Sequence, residues 1–165
     1  MFEFLTALEI DVRERTAAGE AYVPASHPEF ADHFPGAPLL PGTWTLELMQ
    51  QVAQPLVEAV NLQMGKNVRV SLAGVEIAKI ERPVPLPAHL VIKARVSSLD
   101  SGAATVHVEA LEGRARCGVA ELAMRLGANQ DAGEVRRAPL ALAAVERALA
   151  IAADRVLPRE LEGGT

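Results

Sequence analysis

Cysteine is almost absent from this chain: Cys117 is the one such residue among 165. A lone thiol excludes an internal disulfide and points to a reducing compartment, the cytoplasm. Aromatic residues are scarce too, at 4% of the sequence. Few flat side chains for base stacking, together with a net charge of −5, argue against a nucleic-acid partner. Half of the residues are hydrophobic, yet no run of them reaches the length of a bilayer span, so no membrane partner is expected. The N-terminus, MFEFLTALEIDVRER, lacks a basic start and carries acids inside its short apolar stretch, unlike a secretory signal. Metal-ligand spacings, a P-loop, a dinucleotide glycine pattern and internal repeats are missing as well. What remains is the length of one domain with ample apolar material for a core.

The most informative stretch is HFPGAPLLPGTWTLELMQQ, residues 33–51. Pro35, Pro38 and Pro41 each fix φ and remove an amide donor, while Gly36 and Gly42 permit conformations that other residues avoid. Such a segment is a stiff loop, able to hold a side chain in place at low entropic cost. His33 stands at its entrance and Gly42 at its exit, where an apolar helix begins. A glycine there lets a ligand approach the backbone. The unpaired N–H groups of the first helical turn carry the positive end of the macrodipole, which suits an oxygen bearing negative charge. Glu47 follows within about a turn and a half. A base, an anion-stabilising helix end and a carboxyl group thus lie close together. Loss of water from a 3-hydroxyacyl thioester needs these parts: a base for the proton at C2, donors for the enolate-like oxygen, and an acid for the departing hydroxyl.

HFPGAPLLPG with Glu47 and Gln51 resembles the 3-hydroxyacyl-acyl-carrier-protein dehydratases of the hot-dog fold, in the non-isomerising form whose helix carries glutamate. The resemblance extends through GVEIAKIERPV (74–84) and covers roughly residues 5–127. It implies a homodimer whose two sheets join into one, with dimers able to assemble further as three around an axis. It implies His33 of one subunit as general base and Glu47 of the other as general acid, kept partly protonated by apolar surroundings. It gives the Gly42 N–H the thioester carbonyl, and Gln51 the orientation of Glu47 or of a water. It implies acyl carrier protein as partner. No cofactor or metal is expected, since the phosphopantetheine arm arrives with the carrier-bound substrate. Two rivals stand beside this reading. One is a hot-dog thioesterase; the other is a non-catalytic subunit that pairs with an active dehydratase. PVPLPAHL (83–90) departs from the family's usual Gly-Asp turn, with Pro87 and Ala88 in its place.

The rest of the pattern predicts α+β architecture, an antiparallel sheet wrapped around one long central helix. The helix is expected from about Thr43 to Met64, apolar on most sides, with Pro55 producing a kink or an early end. Glu47, Gln51, Gln54 and Glu58 nearly share one face. On spacing alone they form a solvated stripe; with the motif, Glu47 and Gln51 line a cavity and Gln54 and Glu58 reach its rim. Leu8, Ile10 and Val12 alternate with charges as in a half-buried strand. Thr16–Glu20 reads as a turn and Ala21–Val23 as a short return. Strands are predicted over Val68–Val84, Leu90–Leu99, Ala104–Leu111 and Ala115–Leu126. His27 and His89 read as loop or surface histidines, and His107 as an exposed strand residue.

Lys66, Arg69, Lys79, Arg82, Lys93 and Arg95 stand against only Glu76 and Glu81 in their region. They form a candidate docking strip for an acidic carrier protein, or else the solvated positions of amphipathic strands. The hot-dog domain is assigned to residues 1–127, and a linker with a C-terminal helical extension to 128–165. Within the extension Leu142, Val145, Leu149, Ala152 and Val156 recur at helical spacing. This helix could pack on its own domain, on a partner subunit or on another protein.

Overall fold

The computed structural model describes residues 4–128 and 139–154. Strands β1 (Leu5–Asp11), β2 (Thr16–Val23), β3 (Val68–Ile80), β4 (Ala88–Leu99), β5 (Ala103–Glu112) and β6 (Ala115–Ala128) form one antiparallel sheet in the order β1-β2-β4-β5-β6-β3. Helix α1 (Gly42–Gln63) lies in the curl of that sheet and touches all six strands. This is the hot-dog arrangement of an α+β protein. Period-two alternation builds the inner face: Leu90 and Ile92 on β4, Val106 and Val108 on β5, and Leu122 and Met124 on β6 are all buried. Leu48, Met49, Val52, Leu56, Val57 and Val60 of α1 meet them. Each such side chain contributes roughly 1.5–3 kcal/mol by leaving water.

One expectation fails here for a physical reason. Thr16–Glu20 is strand, not turn. The reversal comes earlier, at residues 12–15, where Asp11 Oδ1 accepts from the backbone N–H groups of Arg13 and Glu14 and Arg15 takes φ 55°. Gly19 serves packing: a Cβ on it would lie 2.5 Å from Val52 Cγ2, so its bareness lets β2 sit close on α1. Of the two outcomes expected at Pro55, a kink or an early end, the early end does not occur. α1 runs on to Gln63 with Pro55 buried in its interior.

Helix α2 (Pro139–Asp154) packs on its own chain, against α1 and β1. Its buried face is Ala141, Ala144, Val145, Ala148 and Ala152, while Leu142 is exposed. Of the expected stripe, Val145 and Ala152 are buried and Leu149 packs against the core, whereas Leu142 points outward and alanines fill the rest of the face, which lets the helix come close. Arg147 donates to the Leu8 carbonyl, and Arg13 donates to the Ala152 carbonyl. These bonds tie α2 to the β1 side of the sheet. The expected linker and Val156 fall outside the described residues.

The two sides of the sheet thus differ. β1 is covered by α2, whereas β3 is exposed at every residue from Val75 to Ile80. Val75, Ile77 and Ile80 are large apolar side chains left open there. No described helix is long and apolar enough to cross a membrane.

Candidate active site

The His33 loop is fixed from both sides. On its N-terminal side, Pro28–Phe30 forms one 3-10 turn, capped by His27, whose Nδ1 accepts from the Glu29 N–H. Phe4, His27, Phe30 and Trp44 gather their rings within 5.1–6.1 Å of one another, joining this turn to the start of α1. His27 is thus structural, and much of the chain's scarce aromatic content is spent here. On the C-terminal side, the Leu40 N–H donates to the Val84 carbonyl and the Leu86 N–H to the Pro38 carbonyl, both at 2.9 Å. Leu39 also bridges to Pro85. The departed turn PVPLP is therefore a backbone splint for the histidine loop, a role that residue types alone did not reveal.

His33 is half-buried, and its Nδ1 lies 3.3 Å from the Leu39 carbonyl. A carbonyl oxygen only accepts, so Nδ1 carries the proton in this bond. Nε2 then holds the lone pair of the neutral ring. The Leu39 N–H returns a bond to the His33 carbonyl at 2.8 Å, closing the loop on itself. The peptide between His33 and Phe34 is cis.

Gly42 opens α1. The preceding Pro41 supplies no side-chain cap, and its carbonyl accepts from the N–H groups of Trp44 and Thr45. Among the described residues, then, no capping side chain competes for the helix's first amides. One side of Gly42 is occupied by β3: a Cβ there would lie 3.0 Å from Ile80 Cγ1. Glu47 is half-buried in the second turn, and Gln51, buried one turn later, donates to Glu47 Oε1 at 3.0 Å. Gln54 and Glu58 pair further along at 3.5 Å. Glu58 is 3% exposed, so it lies in the interior and not at a rim.

The six candidate docking cations do not form one strip. Lys66 and Arg69 lie near the start of β3, and Lys79 and Arg82 near its other end. Arg82 is committed to the Glu112 carboxylate and to the carbonyls of Glu112 and Ala115. Lys93 and Arg95 lie on β4, where they line a cleft of about 890 Å3 with Arg13, Glu109 and Arg147. None of residues 24–87 borders that cleft, and its charges are mixed, so it is separate from the His33 and Glu47 region. His107 is not a free strand residue: its Nδ1 meets Glu121 Oε1, and Nε2 lies 3.7 Å from Glu109. His89 is exposed and faces Tyr22, with ring centroids 4.8 Å apart.

Residues 9–113 match the family described as ApeI-like, ApeI dehydratase. The chain is 31% identical over 107 residues to the 3-hydroxyacyl-acyl-carrier-protein dehydratase FabZ of Chlamydia trachomatis, covering 64% of this chain and 69% of that protein. It is 36% identical over 106 residues to FabZ of Rickettsia akari, covering 62% and 72%. Among solved structures it resembles the dehydratase heterocomplex ApeI:P of Xenorhabdus doucetiae, with TM-score 0.61, 13% identity and coverage of 76% and 84%. It also resembles a thioesterase of Haemophilus influenzae, with TM-score 0.56, 12% identity and coverage of 72% and 76%. At such identities the structural likenesses speak for the fold and not for the reaction.

Proposed function

This chain belongs to the ApeI-like dehydratase family, and on that premise we propose how it removes water from a 3-hydroxyacyl thioester carried on acyl carrier protein. His33 Nε2 takes a proton from C2. The electron pair forms the C2–C3 double bond, and the C3–O bond breaks. Glu47 gives its proton to the departing hydroxyl, which leaves as water; the product is a trans-2-enoyl thioester. The Gly42 N–H steadies the carbonyl oxygen while negative charge gathers on it. Gln51 holds Glu47 in place through its amide. The proton that His33 gained returns to Glu47 or to solvent and resets the site. These steps ask for no resident cofactor, and phosphopantetheine would come with the carrier.

The observation that carries the assignment is the bond from His33 Nδ1 to Leu39, in a loop splinted to residues 84–86. It sets one tautomer and makes Nε2 the basic nitrogen. A second copy pairing along the open β3 would complete the site, with His33 of one subunit serving Glu47 of the other. Lys79, exposed next to Ile80 and 4.0 Å from Glu81, is one of the six cations proposed to greet an acidic carrier. The single free thiol supports a cytoplasmic setting.

The test is turnover of 3-hydroxyacyl and trans-2-enoyl carrier thioesters, followed by enoyl absorbance and mass. Wild type should interconvert the two. His33→Ala and Glu47→Gln should each lose about 10²–10⁴-fold in kcat, the usual worth of a general acid or base. Release of free carrier thiol instead of water, or unchanged rates in either variant, would overturn the assignment.

A further inference from the structure

The amide end of α1 is walled by a residue that the acid–base steps do not use. Ile80, near the end of β3, presses on Gly42: Cγ1 and Cδ1 lie 3.0 and 3.7 Å from where a Cβ would stand. Opposite Ile80 in the sheet is Gly118 of β6. A Cβ on Gly118 would sit 3.4 Å from Ile80 Cδ1 and 3.4 Å from Met49 Cε. Thus β3, β6 and α1 bring Ile80, Met49 and a bare glycine to one apolar spot beside the helix end. Met49 is fully buried, and Ile80 keeps 44% of its surface outside the contacts of its own chain. Being β-branched, isoleucine is stiff at χ1 and holds that surface in a fixed place.

We propose that Ile80 is a specificity-determining residue, setting which acyl chains fit beside the thioester carbonyl. The inference rests on the dehydration reading above. A thioester whose oxygen lies on the Gly42 N–H carries its first acyl carbons past Ile80 at roughly van der Waals distance, about 4 Å. A smaller residue at position 80 opens room for longer or bulkier chains; a larger one closes it. The same contact gives Gly42 a second reason to be glycine, since a Cβ there would stand 3.0 Å from Ile80 Cγ1 and require Ile80 to give way.

The experiment compares kcat/KM for short and long 3-hydroxyacyl carrier thioesters in wild type, Ile80→Ala and Ile80→Phe. Leu142→Ala serves as control: it is exposed on α2, away from β3, and the mass of each variant in solution is measured alongside. The long-to-short ratio should rise by about tenfold in Ile80→Ala and fall in Ile80→Phe, the scale of a methylene-sized change in an apolar pocket. Leu142→Ala should leave the ratio where it was. Gly42→Ala should lose activity, and Gly42→Ala/Ile80→Ala should regain part of it. An active wild type whose ratio is unmoved by both Ile80 variants, or moved equally by Leu142→Ala, overturns this inference alone. A wild type that dehydrates nothing overturns the function and the inference together.

Discussion

At the scale of single residues, much of this chain's polar chemistry is spent on holding strands together. Arg116 donates to both oxygens of Glu81 at 2.9 Å and to Glu109 at 2.8 Å. Its guanidinium hydrogen bonds hold the carboxyls of Glu81 and Glu109 below their ordinary value of 4.5. A carboxyl with a depressed folded pKa favours the folded state above its unfolded pKa. That gain is lost as pH falls through the lowered value. Arg116→Ala should therefore lower Tm at pH 7, with the gap from wild type closing below about pH 4.5 as the carboxyls protonate in both proteins. Thermal melts across pH check this, and a gap that widened in acid would contradict it. The group lies on the surface, so the fall in Tm is expected to be small. Cys117 shows the opposite effect: burial pushes its thiol up, and its Sγ donates to the Ala110 carbonyl. This thiol is packing material.

At the scale of elements, legibility followed periodicity. α1 was predicted as Thr43–Met64 and is Gly42–Gln63, because an apolar helix pattern behind a proline-glycine loop has few other outcomes. β4, β5 and β6 were legible as apolar segments evenly spaced by polar, glycine-bearing breaks, DSG at 100–102 and EG at 112–113. Asp100 shows why: its carboxylate accepts from the N–H groups of Gly102 and Ala103 and shapes the hairpin. What failed depended on partners distant in sequence. Gly19 looks like a turn glycine until Val52 is placed beside it. The splint between 38–40 and 84–86 joins two proline-rich loops with no periodicity to read. His33, Glu47 and Gln51 could be proposed from sequence because their motif is contiguous, whereas the packing of Ile80 on Gly42 depends on the β3–β6 register and could not. On α2 the expected Val145, Leu149 and Ala152 do face the domain; Leu142 does not, and Ala141, Ala144 and Ala148 complete the contact. That face gives a test at its own scale. Ala148 is 4% exposed against its own domain, so Ala148→Glu forces a charge and extra volume into a close contact. It should cost about 1–3 kcal/mol, read from denaturant unfolding. Unchanged stability would mean that α2 does not rest there.

At the scale of the whole molecule, the two ends of the sheet divide the labour. Edge strands invite pairing, and proteins either cover them or use them. Here α2 covers β1, while β3 stays open with Val75, Ile77 and Ile80 exposed. The open strand begins at Val68 and ends at Ile80, against the Gly42 end of α1. A copy paired along β3 would thus approach the end of the helix where chemistry is proposed. This makes the sharing of residues testable without knowing the acyl chain. In the proposed two-fold dimer, two equivalent sites would each take His33 from one subunit and Glu47 from the other. Mixing inactive His33→Ala with inactive Glu47→Gln, then unfolding and refolding them together, yields hybrids. Each hybrid holds one site with both native residues and one with neither. If subunits pair at random, half of the dimers are hybrids with one working site in two, and activity should recover to about a quarter of wild type. Sites built within one subunit would recover nothing, because every subunit in the mixture lacks one of the two groups. Recovery of activity in the refolded mixture, with the dimer mass confirmed in solution, would therefore establish both the pairing and the division of acid and base between chains.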